Sequence, residues 1–128
     1  MVILITGKKG SGKSHYAKLL QEELVQEHYQ VKWLDGDAFR KETGNADYTD
    51  EGRLRNLMDA AEIARAYEMK GWIVLLSFIM PQKRYRDKMR NRLATSRIVY
   101  IPGGTLWVGT KYERPTEREM KVKYIQGF

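Results

Sequence analysis

The stretch Gly7-Lys8-Lys9-Gly10-Ser11-Gly12-Lys13-Ser14 follows the apolar run Val2-Ile3-Leu4-Ile5 and precedes a segment with helical periodicity. It matches the pattern G-x-x-x-x-G-K-[ST] in the strand-to-helix setting where that pattern forms a phosphate-binding loop. Its glycines allow backbone N–H groups to turn inward around a polyphosphate, and the following helix directs its free N–H groups at the same anion. The sequence therefore predicts a nucleotide-phosphate site rather than an accidental glycine-rich turn.

Two residues of this loop carry specific chemistry. Lys13 is placed to reach the β- and γ-phosphates of a nucleotide, and the Ser14 hydroxyl to ligate Mg²⁺. His15 could touch a ligand, although without an acidic partner in the sequence it also fits a solvated or packing role. We predict that the nucleotide, ATP, is bound by Gly7, Gly10, Ser11, Gly12, Lys13, Ser14 and His15.

The composition limits the metal and the partner. The 128 residues carry a net charge of +7, no cysteine and two histidines. A single domain over residues 1–128 is expected, because no linker or repeat divides the chain. The absence of cysteine excludes a disulfide framework and makes a zinc site implausible, which leaves oxygen-ligated Mg²⁺ as the expected metal. The positive charge favours an anionic partner, either a nucleotide or a nucleic acid.

The hydropathy of the chain predicts no membrane partner. The longest apolar run, residues 72–80, is too short to cross a bilayer. The N-terminus enters a strand instead of showing a signal-peptide pattern. We therefore expect a cytoplasmic protein.

Apolar runs alternate with helical patterns, which predicts an α/β fold: a three-layer, P-loop NTPase-like parallel sheet flanked by helices. Strands are predicted at residues 2–5, 31–34, 72–78 and 98–101, and helices over 15–28, from the cap Thr49 to about 70, and within 82–96. The first helix is expected to bury Tyr16, Leu19, Leu20 and Leu24, and the last Tyr85, Met89 and Leu93. Polar residues 41–48 predict a loop over the site.

Two carboxylates, Asp35 and Asp37, follow the second predicted strand, where ligands bind in open α/β sheets. Such a pair could orient Mg²⁺-bound water or accept a proton from an attacking hydroxyl. The alternative is an Asx-type turn that caps the next helix. Because the pair lies beside a phosphate loop, we favour the functional interpretation over the turn. It gives catalytic roles to Lys13, Asp35 and Asp37 and metal ligation to Ser14 and Asp35.

Other cations and rings are candidates for the same edge of the sheet. Arg53 and Arg55 point in different directions on their helix, so at most one should face the site. Arg84 or Arg86 lies close enough in sequence to the third strand's end to hold a phosphate. The apolar step Phe78-Ile79 could pack a flat substrate ring or close the core. Trp107 is expected to be a packing residue.

Taken together, these residues resemble the adenylylsulfate kinases, which phosphorylate the 3′-hydroxyl of adenosine 5′-phosphosulfate with MgATP. The resemblance spans about residues 2–101 and rests on the phosphate loop, residues 34–37, Ser77-Phe78-Ile79 and residues 84–87, with Arg40, Arg53 and Asn56. It implies that Arg40, Arg53, Asn56 and Ile79 hold the adenylylsulfate, beside Phe78. It also implies that Asp35 and Asp37 serve Mg²⁺ and the acceptor hydroxyl.

The chain departs from the family's pattern at two places. Met80 stands where the family usually has a serine that is often described as a phosphorylated intermediate, but direct in-line transfer needs no such serine. After the fourth predicted strand, where the family carries a long basic lid, residues 102–109 lead directly to Tyr112-Glu113-Arg114-Pro115, which resembles the family's sequence beyond the lid, so the lid is expected to be missing. Without a lid, the site should transfer the phosphoryl group to the acceptor poorly and should hydrolyse ATP in a measurable side reaction.

The sequence thus predicts an ATP-dependent kinase that resembles adenylylsulfate kinase. Its acceptor would be adenosine 5′-phosphosulfate or a related nucleotide. The alternatives are a kinase acting on a modified base of a nucleic acid, which an open site would admit, and a non-catalytic nucleotide-binding module. A small nucleotide is the favoured partner, and a homodimer is an open possibility.

Overall fold

Four parallel strands form the centre of the structure, a computed structural model that describes residues 1–125. These four strands are β1 (Val2–Thr6), β2 (Val31–Asp35), β3 (Ile73–Ser77) and β4 (Thr95–Tyr100), and a fifth strand is β5 (Lys123–Tyr124). Their order in the sheet is β2-β3-β1-β4-β5, and β5 pairs antiparallel with β4. The predicted parallel sheet is confirmed, with a short antiparallel strand added at one edge.

Helices cover both faces of this sheet. They are α1 (Lys13–Gln26), α2 (Gly36–Thr43), α3 (Asp50–Met69) and α4 (Lys83–Arg90). Alternate strand residues point to opposite faces. Leu4 and Val74 therefore lie in one core with Leu57 of α3, whereas Ile5 and Leu75 lie in a second core with Ala17 of α1. This is the three-layer α/β arrangement that the sequence predicted.

The strand register brings the functional segments to one edge. Asp35 of β2 pairs with Ser77 of β3, Ser77 pairs with Ile5, and Thr6 pairs with Tyr100 of β4. In parallel sheets the carboxyl ends of neighbouring strands meet, and ligands bind outside them. The phosphate loop and both candidate carboxylates therefore lie at the same edge.

The predicted start and end of α3 are confirmed. Thr49 is the N-cap, and its hydroxyl accepts a hydrogen bond of 3.1 Å from the Gly52 N–H. The helix ends at Met69, with Lys70 as the C-cap. None of the helices within residues 1–125 is long and apolar enough to span a membrane.

The predicted apolar face of α1 is wrong at two positions. Tyr16 and Leu19 are 36% and 52% exposed, while Ala17 is fully buried. Leu20 and Leu24 pack against the core as expected. Ala17, Leu20 and Leu24 follow helical spacing, so the small alanine marks the true buried face and the larger side chains misled the prediction.

The fourth strand begins three residues earlier than predicted, and α4 ends before residue 96. The polar residues Thr95 and Ser96 obscured the start of the strand in the sequence, but Ser96 is buried in the structure and its hydroxyl accepts a hydrogen bond from Arg90. The α4 helix ends at Arg90 in a turn, and Leu93 beyond it is still fully buried. The polar side chains here are paired inside the protein, which apolar periodicity cannot detect.

Candidate functional site

A cavity of about 730 Å³ opens at the carboxyl edge of the parallel strands. One end is formed by the phosphate loop and the start of α1, including Gly12 and Lys13. The other end is formed by Arg40, Arg53 and Trp107. Asp35 and Asp37 line the wall between the two ends. One cavity therefore joins the predicted nucleotide site to the predicted acceptor site.

The phosphate loop presents the N-terminus of α1 to this cavity. Gly12 is the N-cap residue at φ 102°, a conformation that favours glycine. Lys13, Ser14 and His15 follow it and line the cavity. The free N–H groups and the positive dipole end of α1 consequently face the space where an anion can bind.

The Lys13 ammonium is held over the loop. Its Nζ donates a hydrogen bond of 2.8 Å to the carbonyl oxygen of Lys8. Burial lowers the pKa of Lys13 below the usual lysine value, and the carboxylates of Asp35 and Asp37 act in the opposite direction. The two carboxylates thus contribute to keeping a partly buried cation charged inside the cavity.

A chain of hydrogen bonds fixes the Asp35 carboxylate beside Ser14 in the cavity. Its Oδ1 accepts from the Ser14 hydroxyl at 2.5 Å and from the Ser77 hydroxyl at 2.8 Å. Ser77 in turn accepts 2.8 Å from the indole Nε1 of Trp33. Asp35 is the N-cap residue of α2 but makes no capping hydrogen bond. Its carboxylate faces Ser14 instead, so the turn-capping alternative does not describe Asp35.

The oxygens of Ser14 and Asp35 suit a magnesium ion. Mg²⁺ is usually held in proteins by one or two carboxylates together with water and substrate phosphates. Within residues 1–125 no group of three or more His, Cys, Asp or Glu side chains could hold a metal on its own. A hydroxyl and a carboxylate oxygen in contact beside a phosphate loop fit Mg²⁺ and do not fit zinc.

Cations and rings alternate at the acceptor end of the cavity. The guanidinium groups of Arg40 and Arg53 lie 4.6 and 5.2 Å from the ring centre of Tyr48. The Arg53 guanidinium also lies 3.7 Å from the ring centre of Trp107. Burial, followed by the charge of Arg40, lowers the pKa of Arg53. Two cations are therefore concentrated at this end of the cavity, which suits it to an anionic group.

A smaller cavity of about 80 Å³ adjoins this end and is lined by Asn56, Phe78 and Ile79. Phe78 is buried with its ring edge against Phe39, at 5.8 Å between ring centres. Asn56 is 4% exposed, and its Oδ1 has no hydrogen-bond partner among the described residues. A buried acceptor atom without a partner is costly, and it suits a ligand that donates a hydrogen bond there.

The segment after β4 runs beside the phosphate loop. Lys9 and Thr105 exchange two backbone hydrogen bonds, of 3.0 and 2.9 Å. Gly104 lies so close that a Cβ there would come within 2.4 Å of the Lys9 carbonyl oxygen. Thr105, Leu106 and Trp107 then line the cavity. A short connection thus contacts the loop at the place where the resemblance implied a missing lid.

The structure brings most of the predicted site residues together. Those that line the larger cavity are Gly10, Gly12, Lys13, Ser14, His15, Asp35, Asp37, Arg40, Arg53, Phe78 and Ile79. Asn56 lines only the smaller cavity. Gly7 and Ser11 line neither, because Gly7 is buried against Ile101 beneath the loop and the Ser11 Oγ is also buried. Arg55 is exposed on the outer side of α3, which agrees with the expectation that at most one of Arg53 and Arg55 faces the site.

The prediction that Arg84 or Arg86 holds a phosphate is wrong. Arg86 is fully buried and donates to both carboxylate oxygens of Glu119 and to two backbone carbonyls. Arg84 bonds to the side chains of Gln82 and Tyr85. The sequence prediction counted cations by proximity to the strand end, but the carboxylate partner of Arg86 lies 33 residues away.

Trp107 is one lining residue that the sequence analysis did not assign to the site; Tyr48, Thr105 and Leu106 are others. The sequence predicts that Trp107 is a packing residue and not a platform for a base, yet it lines both cavities and contacts Arg53. The only sequence signal was an aromatic residue in a short glycine-bounded segment, Gly104-Thr105-Leu106-Trp107-Val108-Gly109. Such segments lie at the surface, so an aromatic residue in one is a candidate for ligand contact.

Comparisons of the sequence with family models and with known proteins all match the same family. The sequence model of the adenylylsulphate kinase family matches residues 1–126. A probable adenylyl-sulfate kinase from Aeropyrum pernix is 35% identical over 125 residues, which cover 97% of this chain and 67% of that protein. An adenylyl-sulfate kinase from Bacillus velezensis is 36% identical over 97 residues, covering 73% of this chain and 48% of that protein. The chain spans about half the length of several curated relatives that it matches.

A comparison with solved structures also matches an APS kinase. Mycobacterium tuberculosis APS kinase CysC, in complex with AMPPNP and APS, matches with a TM-score of 0.73 and 25% sequence identity. The match covers 78% of this chain and 61% of that one.

Proposed function

The chain belongs to the adenylylsulphate kinase family, and on this basis we propose that it transfers the γ-phosphoryl group of ATP to the 3′-hydroxyl of adenosine 5′-phosphosulfate. The observation that carries the proposal is the single cavity that joins the phosphate loop to Arg40 and Arg53. Phosphoryl transfer needs a donor phosphate and an acceptor hydroxyl in line within one space. The M. tuberculosis relative, in complex with AMPPNP and APS, supports such an arrangement.

At the nucleotide end, Lys13 and the N–H groups at the start of α1 would bind the β- and γ-phosphates. Positive groups fixed before the reaction stabilise the charge that spreads over the transferring phosphoryl group. Ser14 and Asp35 would hold Mg²⁺, which neutralises phosphate charge when it is bound. Asp35 is well suited to this task because its position is already fixed by Ser14 and Ser77.

Asp37 is the proposed base that orients or deprotonates the acceptor hydroxyl. It stands in the first turn of α2 and lines both cavities. It is therefore adjacent to the donor end and to the acceptor end at once. A carboxylate in this position can accept the proton that leaves the hydroxyl during transfer.

At the acceptor end, Arg40 and Arg53 would bind the acidic phosphosulfate group. Guanidinium groups are suited to tetrahedral oxyanions because they donate in a planar fork. Phe78, Ile79 and Trp107 offer apolar faces for a flat base, and the unpartnered Oδ1 of Asn56 offers an acceptor for a base amino group. These features together favour a nucleotide acceptor over a simple alcohol.

The experiment is a coupled measurement of two products. The protein is incubated with labelled ATP and adenosine 5′-phosphosulfate, and phosphorylated acceptor is counted per ADP released. We expect transfer with less than one phosphorylated acceptor per ADP. In place of a basic lid that would exclude water, residues 102–111 contain three glycines and a single cation, Lys111. Tight ATP binding without any phosphorylated acceptor would overturn the proposed activity.

The cavity also bears on the assembly and location of the protein. A second copy could cover its open side, so we propose a homodimer as one way to exclude water from the γ-phosphate. Light scattering with and without nucleotide tests this, and a monomer with full coupling would contradict it.

Since the proposed reaction consumes ATP, we expect it to take place in the cytoplasm.

A further inference from the structure

One wall of the acceptor pocket is held by residues far away in sequence. After β3 ends at Ser77, the chain passes through Phe78, Ile79 and Met80 along the acceptor pocket. The backbone bonding between β1 and β3 reaches no further than the Phe78 N–H, which donates 3.2 Å to the Ile5 carbonyl. Beyond that point the position of Ile79 depends on other contacts.

Three consecutive carbonyl groups of this wall each accept a hydrogen bond. The Ile79 carbonyl accepts 2.6 Å from the Thr6 hydroxyl, and the Met80 carbonyl accepts 2.8 Å from Arg86. The Pro81 carbonyl accepts 2.7 Å from the Glu113 N–H. Met80 has a φ of 47°, which is a strained conformation for a residue with a side chain. Such strain persists only where surrounding contacts enforce it.

The Thr6 hydroxyl connects the wall to Tyr112. Thr6 is fully buried, and its Oγ1 lies 2.8 Å from the Tyr112 hydroxyl. A threonine hydroxyl has one proton, and the Ile79 carbonyl can only accept it. Tyr112 must therefore donate to Thr6, which gives a directed relay from the Tyr112 O–H through the Thr6 O–H to the Ile79 carbonyl. Burial raises the pKa of Tyr112, which keeps this donor protonated.

The ring of Tyr112 is fixed on two sides. Tyr100 stacks on it at 5.7 Å between ring centres, and the Arg86 guanidinium lies 5.9 Å from its centre. Arg86 is itself anchored by Glu119. The relay therefore begins at a rigid point, because a side chain with fixed neighbours holds its partner better than a mobile one.

We propose that the Tyr112–Thr6 relay is a positioning device that sets the acceptor wall at Ile79 relative to the phosphate loop. Thr6 is the last residue of β1, directly before Gly7, so its backbone belongs to the nucleotide end while its side chain holds the acceptor end. This inference rests on the proposed phosphoryl transfer, which requires the acceptor hydroxyl and the γ-phosphate to be aligned. Misplacement by about 1 Å can slow such a reaction roughly a hundredfold.

The test removes single hydroxyl groups and measures two independent properties. Tyr112→Phe keeps the ring and deletes only the donor, and Tyr100→Phe is the matched control because its hydroxyl takes no part in the relay. We expect Tyr112→Phe to lower kcat for acceptor phosphorylation about tenfold, with the Kd for MgATP changed less than about twofold. Amide exchange of a peptide covering residues 78–80 should also become faster in Tyr112→Phe and stay unchanged in Tyr100→Phe.

A second pair of variants tests the middle of the relay. Thr6→Val has nearly the same shape but no hydroxyl, whereas Thr6→Ser retains it. Thr6→Val should reproduce the kinetic loss of Tyr112→Phe, Thr6→Ser should restore most of it, and the double variant should be little worse than either single one, as expected for residues that act as a unit.

The outcomes separate the relay from the proposed activity. If the parent protein never phosphorylates the acceptor, the proposed function fails, and the relay is judged by amide exchange alone. If Tyr112→Phe matches Tyr100→Phe in exchange, the relay is overturned. If exchange changes but kcat does not, Tyr112 is only a structural residue and the positioning role is overturned.

Discussion

The two ends of the cavity are built in different ways. The nucleotide end comes from one short segment of the chain, residues 9–15, in which the N-terminus of α1 and the Lys13 side chain face the cavity. The acceptor end comes from separate segments around Arg40, Tyr48, Arg53, Ile79 and Trp107. A contiguous backbone site depends on local conformation, whereas an assembled site depends on how distant elements pack. Changes at the first end should act on the donor phosphate, and changes at the second on the acceptor.

The largest expected effect is at Lys13, which would break the nucleotide end. Lys13→Ala should lower the rate of phosphoryl transfer about a thousandfold, the scale seen when one fixed charge-stabilising donor is removed. The exposed Lys18 of α1 gives the matched control, and Lys18→Ala should keep parental kinetics. Calorimetry with MgATP and a thermal melt distinguish lost binding from lost folding. A Lys13→Ala protein that binds and turns over like the parent would show that the loop is not the phosphate site.

The next effect concerns the carboxylate between the two ends. Asp37→Asn should lower kcat roughly a hundredfold or more while the KM for ATP changes little, because a base acts in the transfer step. Steady-state kinetics at varied ATP and saturating acceptor measure both quantities. An unchanged kcat would return Asp37 to a purely structural role at the start of α2.

A third variant sharpens the contrast by acting on the acceptor end alone. Arg53→Ala removes a charged donor worth about 1.5–3 kcal/mol, so the KM for the acceptor should rise roughly 10- to 100-fold. The affinity for MgATP should stay within about twofold. Arg55→Ala, two positions away on the exposed side of α3, is the control and should change neither value. Equal losses of both affinities in Arg53→Ala would mean that the two ends are not separable.

The smallest effect tests the scaffold beneath the acceptor end. Thr49→Ala removes the side-chain cap of α3 and should lower the free energy of unfolding by about 1 kcal/mol. Thr43→Ala is the control, since that exposed hydroxyl makes only a long hydrogen bond of 3.4 Å to the Arg40 carbonyl. Denaturant unfolding of both variants measures the difference. A Thr49→Ala protein as stable as the parent would show that the cap contributes nothing to α3.

The two ends also differ in how far sequence could predict them. That Lys13, Ser14 and Asp35 lie together could be predicted, because a motif fixes the spacing of the first two and the strand ends fix the edge of the sheet that they share with Asp35. Arg86 could not be assigned, since its proximity to a strand end gave no information about Glu119, the residue that neutralises it in the core. Trp107 was missed for a related reason: its segment has no periodicity, and only packing against Arg53 brings it to the cavity.

The sequence by itself determined the α/β order, the phosphate loop, the cap of α3 and the family, because these depend on local spacing and on periods of two and 3.6 residues. Tertiary structure alone decided that Arg86 and Arg90 are buried, that Ser96 belongs to a strand, and that Tyr112 reaches Thr6 across 106 residues of sequence. Arg86, Arg90 and Tyr112 depend on polar partners far along the chain, and Ser96 depends on the pairing of β4 with the distant β1. A buried polar group is stable only when it is paired, and a pairing over that distance is fixed by the packed fold.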